Sequence, residues 1–542
     1  MSTHVFDFDY EKAVQEFRLE IPEKYNFGGE IDRYSDANPD KTAIIWENEA
    51  GETRRITYGD LKALSNRIAN GLHRLGICRG DKVIVLVPRV IEAYAIYLAL
   101  NKMGAVIMPG SEMLRAKDIE YRADHAQAKA VIALGNVRSE VDSIRHKCKS
   151  LQFFVLLDGA AEGWISMEEL IRDADTVWQV VDTDANELAF LSYTSGTTGG
   201  PKGVQHVHAW PYAHLAISAT YWFDVREDDI AWATASPGWA KWVWSPFVSI
   251  LGKGGTAFVY HGRFSANKYL EFLEKYPISL LCATPTEYRM MAKVKDLEQY
   301  KLRALRSACS AGEPLNREVI ETFQRVFNVR VRDGYGQTEN SLLVGTFSGM
   351  KMKPGSMGRP APGIRIAIID EEGKELPVGE VGDIAVHKDT AVLFRGYLHD
   401  PERTGKAFRG EWYVTGDQGR WDEEGYIWFE GRADDIIISS GYTIGPFEVE
   451  DALVKHPAVA ECAAVASPDP ERGHIVKAFV VLRQPEFASE TLVSELQEHV
   501  KKLTAPYKYP REIEFVDSLP KTTSGKIRRV ELRMREKERK MG

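Results

Sequence analysis

The sequence predicts an α/β fold, in which a large N-terminal domain of α/β subdomains plus a β-rich subdomain precedes a small α+β C-terminal domain. Three observations carry that expectation. Compact apolar runs alternate with helical periodicities as far as Arg332, the pattern of strand–helix–strand units. From about Arg365, short alternating strands with glycine turns take over. At Gly431-Arg432-Ala433-Asp434-Asp435 the character shifts again, into roughly a hundred residues of α+β alternation, an ordinary domain size. A boundary there gives domains of residues 1–432 and 433–542.

Taken in order, strands around Ala43–Trp46 and Thr53–Thr57 lead into a helix over Asp60–Leu75, where Leu61, Leu64, Ile68 and Leu72 fall at helical spacing. Asp81–Val87 is a compact strand, Val90–Met103 a long apolar helix, and Ala105–Met108 begins another strand. Lys129–Leu134 and Phe153–Leu157 continue the set, and Leu188–Leu191 reads as a buried strand. Further on, Ser279–Ala283, Leu305–Ser310 and Val329–Arg332 are strand-like, with helices over Thr286–Lys295 and Leu315–Phe327 between them. Ligand loops in such sheets lie beyond strand C-termini. Three polar loops take that position: Tyr193–Gly203, Ala311–Pro314 and Asp333–Glu339. The β-rich part carries strands at Ile364–Ile369, Asp383–His387, Trp412–Thr415 and Tyr426–Phe429.

At 542 residues the chain is too long for one ordinary core. With 44% hydrophobic and 27% charged residues it has a globular composition, and its net charge of −9 argues against broad nucleic-acid binding. Five scattered cysteines, without metal-ligand spacing, point to reduced thiols in a cytoplasmic protein. The acidic N-terminus is not a leader peptide, and no apolar run is long enough to span a membrane.

Several loops carry chemistry. In Thr194-Ser195-Gly196-Thr197-Thr198-Gly199-Gly200-Pro201-Lys202-Gly203, glycines allow close backbone approach, hydroxyls can donate and a lysine supplies charge, which suits phosphate oxygens. It is not a Walker A loop, because no Gly-Lys-Ser/Thr follows at the required spacing. Asp333-Gly334-Tyr335-Gly336-Gln337-Thr338-Glu339 offers an aromatic ring and a carboxylate suited to magnesium beside phosphates. Asp417, on a turn after a strand, can accept ribose hydroxyls, although alone it reads as an ordinary Gly-Asp turn. Lys526 in Pro520-Lys521-Thr522-Thr523-Ser524-Gly525-Lys526 is a cation of the kind phosphoryl chemistry needs, and in isolation a surface lysine. His206 and His208 have no third ligand in view and are read as structural.

The ordered set from Tyr193 to Lys526 resembles the AMP-forming adenylating superfamily of acyl-CoA synthetases, luciferases and peptide-synthetase adenylation domains. It is most similar to medium-chain or branched-chain acyl-CoA synthetases. The resemblance implies ATP, Mg2+ and coenzyme A, with a small carboxylic acid as the remaining substrate. It assigns Thr194, Ser195, Gly196, Thr197, Thr198, Gly199 and Lys202 to the β and γ phosphates. Gly312, Glu313 and Pro314 would close on adenine, unless they form only a helix N-terminus. Asp333, Gly334, Tyr335, Gln337 and Thr338 would bind the nucleotide, with Tyr335 stacked on adenine and Glu339 holding magnesium as a catalytic residue. Asp417 would take the ribose, Arg432 the nucleotide, and Lys526 would be the catalytic lysine of adenylation. Asp434 would be the hinge of a mobile C-terminal domain, whose rotation presents Ser440, Gly441 and Tyr442 to the coenzyme A tunnel. Related synthetases are switched off by acetylation of this lysine, which implies an acetyltransferase and deacetylase acting on Lys526.

The implied reaction joins a medium-chain or branched short-chain fatty acid to coenzyme A through an acyl-adenylate. The alternatives are an aromatic-acid CoA ligase and a stand-alone adenylating enzyme that passes its acyl group to a carrier protein. Acetate-specific relatives carry a tryptophan where this chain has Gly336, so the substrate is expected to exceed acetate, at about 0.8 kcal/mol per buried methylene. Trp239, Gly336 and Ala311 are assigned to the acyl pocket, with Ser236–Phe247 its apolar wall or, with equal weight, core packing. Lys241 within it is read as a snorkelling surface lysine in preference to a substrate contact.

One position departs from the pattern: many relatives have an arginine on the AMP phosphate where this chain has Thr443. Losing a charge-assisted contact should weaken retention of the adenylate or AMP. The variant Thr443→Arg is expected to change the rate of at least one half-reaction. Unchanged rates in both would refute the assignment.

Overall fold

A computed structural model of the protein describes residues 8–194, 201–313, 315–439, 442–469, 472–504, 506–521 and 526–541. Among these residues, two large sheets build the N-terminal part. The nine-stranded sheet runs in the order Arg359–Pro360, Leu342–Gly345, Val331–Gly336, Ser307–Ala311, Leu280–Ala283, Ile230–Ala233, Thr256–His261, Thr42–Asn48, Thr53–Thr57. Its strands from Val331–Gly336 to Thr42–Asn48 are parallel, with antiparallel strands at both edges. The eight-stranded sheet is ordered Gly396–Tyr397, Lys202–Val207, Leu188–Thr194, Val106–Gly110, Lys82–Leu86, Ala130–Ala133, Phe153–Leu156, Ile165–Ser166.

The local sequence explains these elements. Thr57 and Asp60 form a reciprocal capping box that starts the helix Tyr58–Leu75, and Gly76 ends it in the left-handed region at φ 98°. The helix Ile91–Lys102 is apolar on nearly every face and accordingly buried on nearly every face. One continuous apolar core joins both large sheets and part of the β-rich sheet built on Ile366–Ile369, Gly382–His387, Trp412–Trp421 and Ile427–Arg432.

The C-terminal part has its own core, on a three-stranded sheet of Val459–Asp469, Gly473–Leu482 and Glu512–Phe515. Its last helix, Arg529–Met541, is pinned by a buried ion cluster. Lys477, 3% exposed, bonds Glu536 and Glu514 at 2.7 Å each, and Ser467 donates to Glu536 at 2.8 Å. Removing one member of such a cluster strands a buried charge, at about 3–5 kcal/mol.

The strands on either side of residues 195–201 are antiparallel neighbours, with Thr194 opposite Lys202. Two expectations about the site loops need correction. Asp333-Gly334-Tyr335-Gly336 is not loop but the end of a strand, and the chain turns only beyond Gly336. Asp417 does not follow a strand either. It lies inside Trp412–Trp421, where Gly416 at φ 75° forms an irregularity that redirects the side chains around it. Among the described residues no helix is long and apolar enough to cross a membrane.

Candidate active site

The register of two parallel strands creates the site. Ser307–Ala311 pairs with Val331–Gly336 so that Ser310 faces Asp333 and Ala311 faces Gly334. Two motifs separated in sequence thereby end side by side. Gly334 is obligatory, since a Cβ there would lie 2.4 Å from the Trp222 ring. Its N–H donates to Asp333 Oδ1 at 2.9 Å. Loss of hydration pushes the Asp333 carboxyl up to about 7, against the Gly334 N–H and the Lys241 charge.

Asp417 is the hub of a second group of predicted site residues. Its Oδ2 accepts from the Tyr335 hydroxyl at 2.6 Å and from Gln337 Nε2 at 2.8 Å. Gln337 also donates to the Thr415 carbonyl at 2.8 Å and accepts from Tyr413 at 3.2 Å. Arg432 is the direct cross-strand partner of Asp417, with Nε 3.3 Å from Oδ1. Burial raises the Asp417 pKa, and the Arg432 charge and these hydrogen bonds oppose the rise.

Glu339 sits on a fixed turn. Gln337 N–H donates to Asn340 Oδ1 at 2.7 Å, and the next three carbonyls are each held by a separate donor. Thr338 O accepts from His206 Nε2 at 2.6 Å, Glu339 O from the Phe394 amide at 2.7 Å, and Asn340 O from Trp210 Nε1 at 2.9 Å. The side chain is buried, with Oε1 accepting from Tyr397 at 2.9 Å. Lys202 lies over the same Tyr397 ring at 4.9 Å, so this tyrosine links the strand Lys202–Val207 to the carboxylate. His206 is neutral, its pKa brought down to about 4 by burial, and it is structural as expected. Among the described residues no group of three or more His, Cys, Asp or Glu is poised to hold a metal ion. The donor set on offer is one carboxylate beside a phosphate loop, which fits magnesium arriving with its nucleotide.

Lys526 is exposed, with the charges of Glu313, Lys241, Asp417 and Arg432 near enough to act on it. Its partial dehydration lowers its pKa; Glu313 and Asp417 oppose this, while Lys241 and Arg432 reinforce it. Glu313 accepts from Thr286 at 3.0 Å, and Gly312, at φ 107°, borders open space. Lys241 is the residue that sequence reasoning missed. It is half-buried and donates to the Ala311 carbonyl at 2.7 Å, which fixes the loop edge from below. Its setting between tryptophans is the only clue in the sequence to an inward position. Ser195, Gly196, Thr197, Thr198, Gly199, Pro314, Ser440 and Gly441 lie outside the described residues. Tyr442 is exposed and stacked on Tyr507 at 4.3 Å. Asp434 is half-exposed, 3.9 Å from Arg432 and 3.5 Å from Arg533.

The tryptophan segment divides residue by residue. Trp242 is core, 1% exposed and stacked on Phe247 at 5.6 Å. Trp239 and Trp244 are only partly buried. Gly336 does not open onto free space, because a Cβ there would fall 1.7 Å from the Ser341 carbonyl oxygen. A larger residue at 336 would have to reshape the hairpin before it reached any pocket.

The family model of the AMP-binding enzymes matches residues 31–398, and that of their C-terminal domain matches residues 448–526. The chain belongs to the AMP-binding enzyme family, as an acyl-CoA synthetase. It is 56% identical to an uncharacterized acyl-CoA ligase, YtcI, of Bacillus subtilis strain 168, covering 96% of this chain and 98% of that one. Identity to the human mitochondrial acyl-coenzyme A synthetase ACSM3 is 42%, over 97% and 92% of the two chains. The crystal structure of the anthranilate CoA ligase AuaEII with anthranoyl-AMP superposes with a TM-score of 0.88 at 30% identity, over 96% of this chain and 99% of that one. In this AMP-binding enzyme the fold and the small C-terminal domain are those expected from the sequence.

Asp333 gives the family fold a pH signature in this chain. Folded, it keeps a proton up to about 7, whereas an ordinary aspartate, as in the unfolded chain, releases it near 3.8. The folded state binds more protons across that window, so this residue makes stability fall as pH rises from about 4 to about 7. Asp333→Asn should remove the effect. Its melting temperature relative to the parent is expected to rise between pH 5 and pH 7.5, and a difference independent of pH would contradict the assignment.

Proposed function

We propose that this acyl-CoA synthetase activates a medium-length or branched carboxylic acid with Mg-ATP and transfers it to coenzyme A. The observation that supports the reading most strongly is the convergence of Tyr335, Gln337, Asp417 and Arg432 in one hydrogen-bonded set, with Lys526 electrostatically coupled to it. In the first step a carboxylate oxygen attacks the α-phosphorus, the bond to the pyrophosphate oxygen breaks, and pyrophosphate leaves. In the second, the coenzyme A sulfur attacks the acyl carbon, the acyl–oxygen bond breaks, AMP leaves and the thiol proton passes to solvent.

The chain's own residues have separable roles. Tyr335 presents its ring to adenine while its hydroxyl is anchored on Asp417, whose remaining lone pairs accept from the ribose hydroxyls. Thr194 and Lys202, together with the loop Ser195–Gly199, hold the outer phosphates. Glu339 is the side chain that would hold magnesium, which when bound neutralises charge on the phosphate oxygens. Lys526 places its positive charge at the α-phosphate, where charge redistributes as the new bond forms. Rotation of residues 433–542 about Asp434 then withdraws Lys526 and brings in the segment at Tyr442. Lys526 is exposed enough to meet a modifying enzyme, and acetylation would remove the charge on which adenylation depends.

For the acid, Trp239 and Trp244 offer a partly open apolar wall, with Ala311 at its edge. An aromatic acid is the second reading, favoured by the similarity to the anthranilate ligase. A panel from acetate through octanoate, with isobutyrate, 2-methylbutyrate and benzoate, scored by AMP release, separates them. The fastest substrate is expected among butanoate to octanoate or the branched acids, and preference for benzoate would install the second reading. Lys526→Ala is expected to abolish acid-dependent pyrophosphate–ATP exchange, by about a hundredfold or more, while a preformed acyl-adenylate is still converted to thioester. Loss of both steps would contradict the role given to this lysine.

A further inference from the structure

Five side chains at a spacing of four residues, His206, Trp210, His214, Ser218 and Trp222, all bond to the segment Asp333–Ser341. Beyond the two carbonyl contacts of His206 and Trp210, His214 Nδ1 lies 2.5 Å from Ser341 Oγ and Ser218 Oγ lies 3.1 Å from it. Trp222 Nε1 donates to the Asp333 carbonyl at 2.9 Å. An α-helix turns so that a four-residue step overshoots a full turn by about 40°. Here the α-helix Ala209–His214 passes into a π-helical stretch, Leu215–Phe223, whose wider turns fall short instead. The two deviations oppose each other, so Trp210, His214, Ser218 and Trp222 stay on one helix face, and His206 joins them from the strand Lys202–Val207.

His214 has a second attachment. Its Nε2 reaches the Trp244 carbonyl at 3.0 Å and Ser249 Oγ at 2.8 Å, within Val243–Leu251, which is also π-helical. A carbonyl only accepts, so Nε2 carries the hydrogen. The ring is neutral, its pKa brought down to about 3 by burial, so Nδ1 is the acceptor and Ser341 donates to it. Ser218 then donates to Ser341. The ring is clamped by stacking on Trp210 at 5.0 Å and 21°. One buried imidazole thus joins the turn that carries Glu339 to the backbone of Trp244.

We propose that His214 is a positioning residue that couples acid binding to Mg-nucleotide binding, by tying the acyl-pocket wall at Trp244 to the nucleotide turn at Ser341. The coupling rests on the function proposed above for those two regions. Mg-nucleotide contacts on the turn bias the position of the Ser341 hydroxyl, and through the neutral imidazole they bias the backbone of Trp244, whose side chain is part of the proposed acyl wall. Linkage requires the converse, that bound acid tightens the nucleotide by the same factor.

The test is calorimetric titration of the intact protein with the best acid of the panel, with and without Mg2+ and α,β-methylene-ATP, which permits binding but no turnover. In the parent, the nucleotide is expected to tighten acid binding at least fivefold, and the acid to tighten nucleotide reciprocally. His214→Phe keeps the ring stack and removes both hydrogen bonds, and it should bring the factor below twofold. Ser341→Ala, which leaves the helix packing in place, should do the same if His214→Phe folds poorly. His214→Gln, whose amide supplies both a donor and an acceptor, should restore part of it. A merely structural histidine would lower the melting temperature and both affinities while leaving the coupling factor intact, and that result overturns the proposal. So does a parent that binds both ligands independently. A parent that binds neither ligand would instead overturn the functional reading.

Discussion

The site depends on a tight turn whose carbonyls are tied to three other parts of the chain. Between Gln337 and Ser341 three consecutive carbonyls are held by an imidazole, a backbone amide and an indole from different parts of the chain. Each carbonyl is deep enough that an unmade bond would cost about 1–3 kcal/mol, so the set is enforced rather than optional. Gly336 sets the start, because its missing side chain lets Ser341 approach to a distance no other residue tolerates. In the proposed reading, such a turn places the Glu339 carboxylate before phosphates arrive, and enzymes gain most from polar groups positioned in this way.

Much of this architecture is legible in the sequence. Strands such as Lys82–Leu86 and helices such as Ile91–Lys102 follow directly from apolar pattern, because burial on one or all faces is a local property of the chain. Register is not local. That Ala311 pairs with Gly334, or Asp417 with Arg432, depends on hydrogen bonding between segments far apart in sequence. The motif residues can be named from sequence, but their adjacency can only be expected from resemblance. Gly416 has the character of a turn residue and so suggests a turn at Asp417, whereas it distorts a strand that continues. Lys241 reads as a surface lysine because its neighbours are apolar, and its partner, the Ala311 carbonyl, has no signature in sequence. The Trp210–Trp222 series is hidden for a different reason. On an α-helix it would drift by about 40° at each four-residue step, and only the widening of the helix brings it back to one face.

The charges of the cleft are arranged in advance of any nucleotide. Asp417 is buried with its carboxylate already shared among a phenol, an amide and a guanidinium, so the cost of desolvating it was met during folding. Lys241, Arg432 and Lys526 bring positive charge to the same cleft from three separate segments. Their mutual repulsion is tolerated beside Asp417 and Glu313, and it is relieved by an anionic ligand.

The proposed hinge has a physical basis in where the chain is anchored. Arg432 is fixed to the large domain through cross-strand pairing with the buried Asp417. Asp435, also buried, is ion-paired to Arg533 of the helix Arg529–Met541, so it belongs to the other body. Between these anchors Asp434 is half-exposed, and its pairs with Arg432 and Arg533 are of the hydrated kind, worth at most about 1 kcal/mol each. Exchanging them during a rotation therefore costs little. The cluster around Lys477 and Glu536 has the opposite character, since its charges are dry and cannot be separated cheaply. It holds the last helix rigidly on the C-terminal sheet, and that helix begins three residues after Lys526. On the proposed hinge, a movement at Asp434 would carry the lysine with it, because the weak contacts lie at Asp434 and the strong ones inside the C-terminal part.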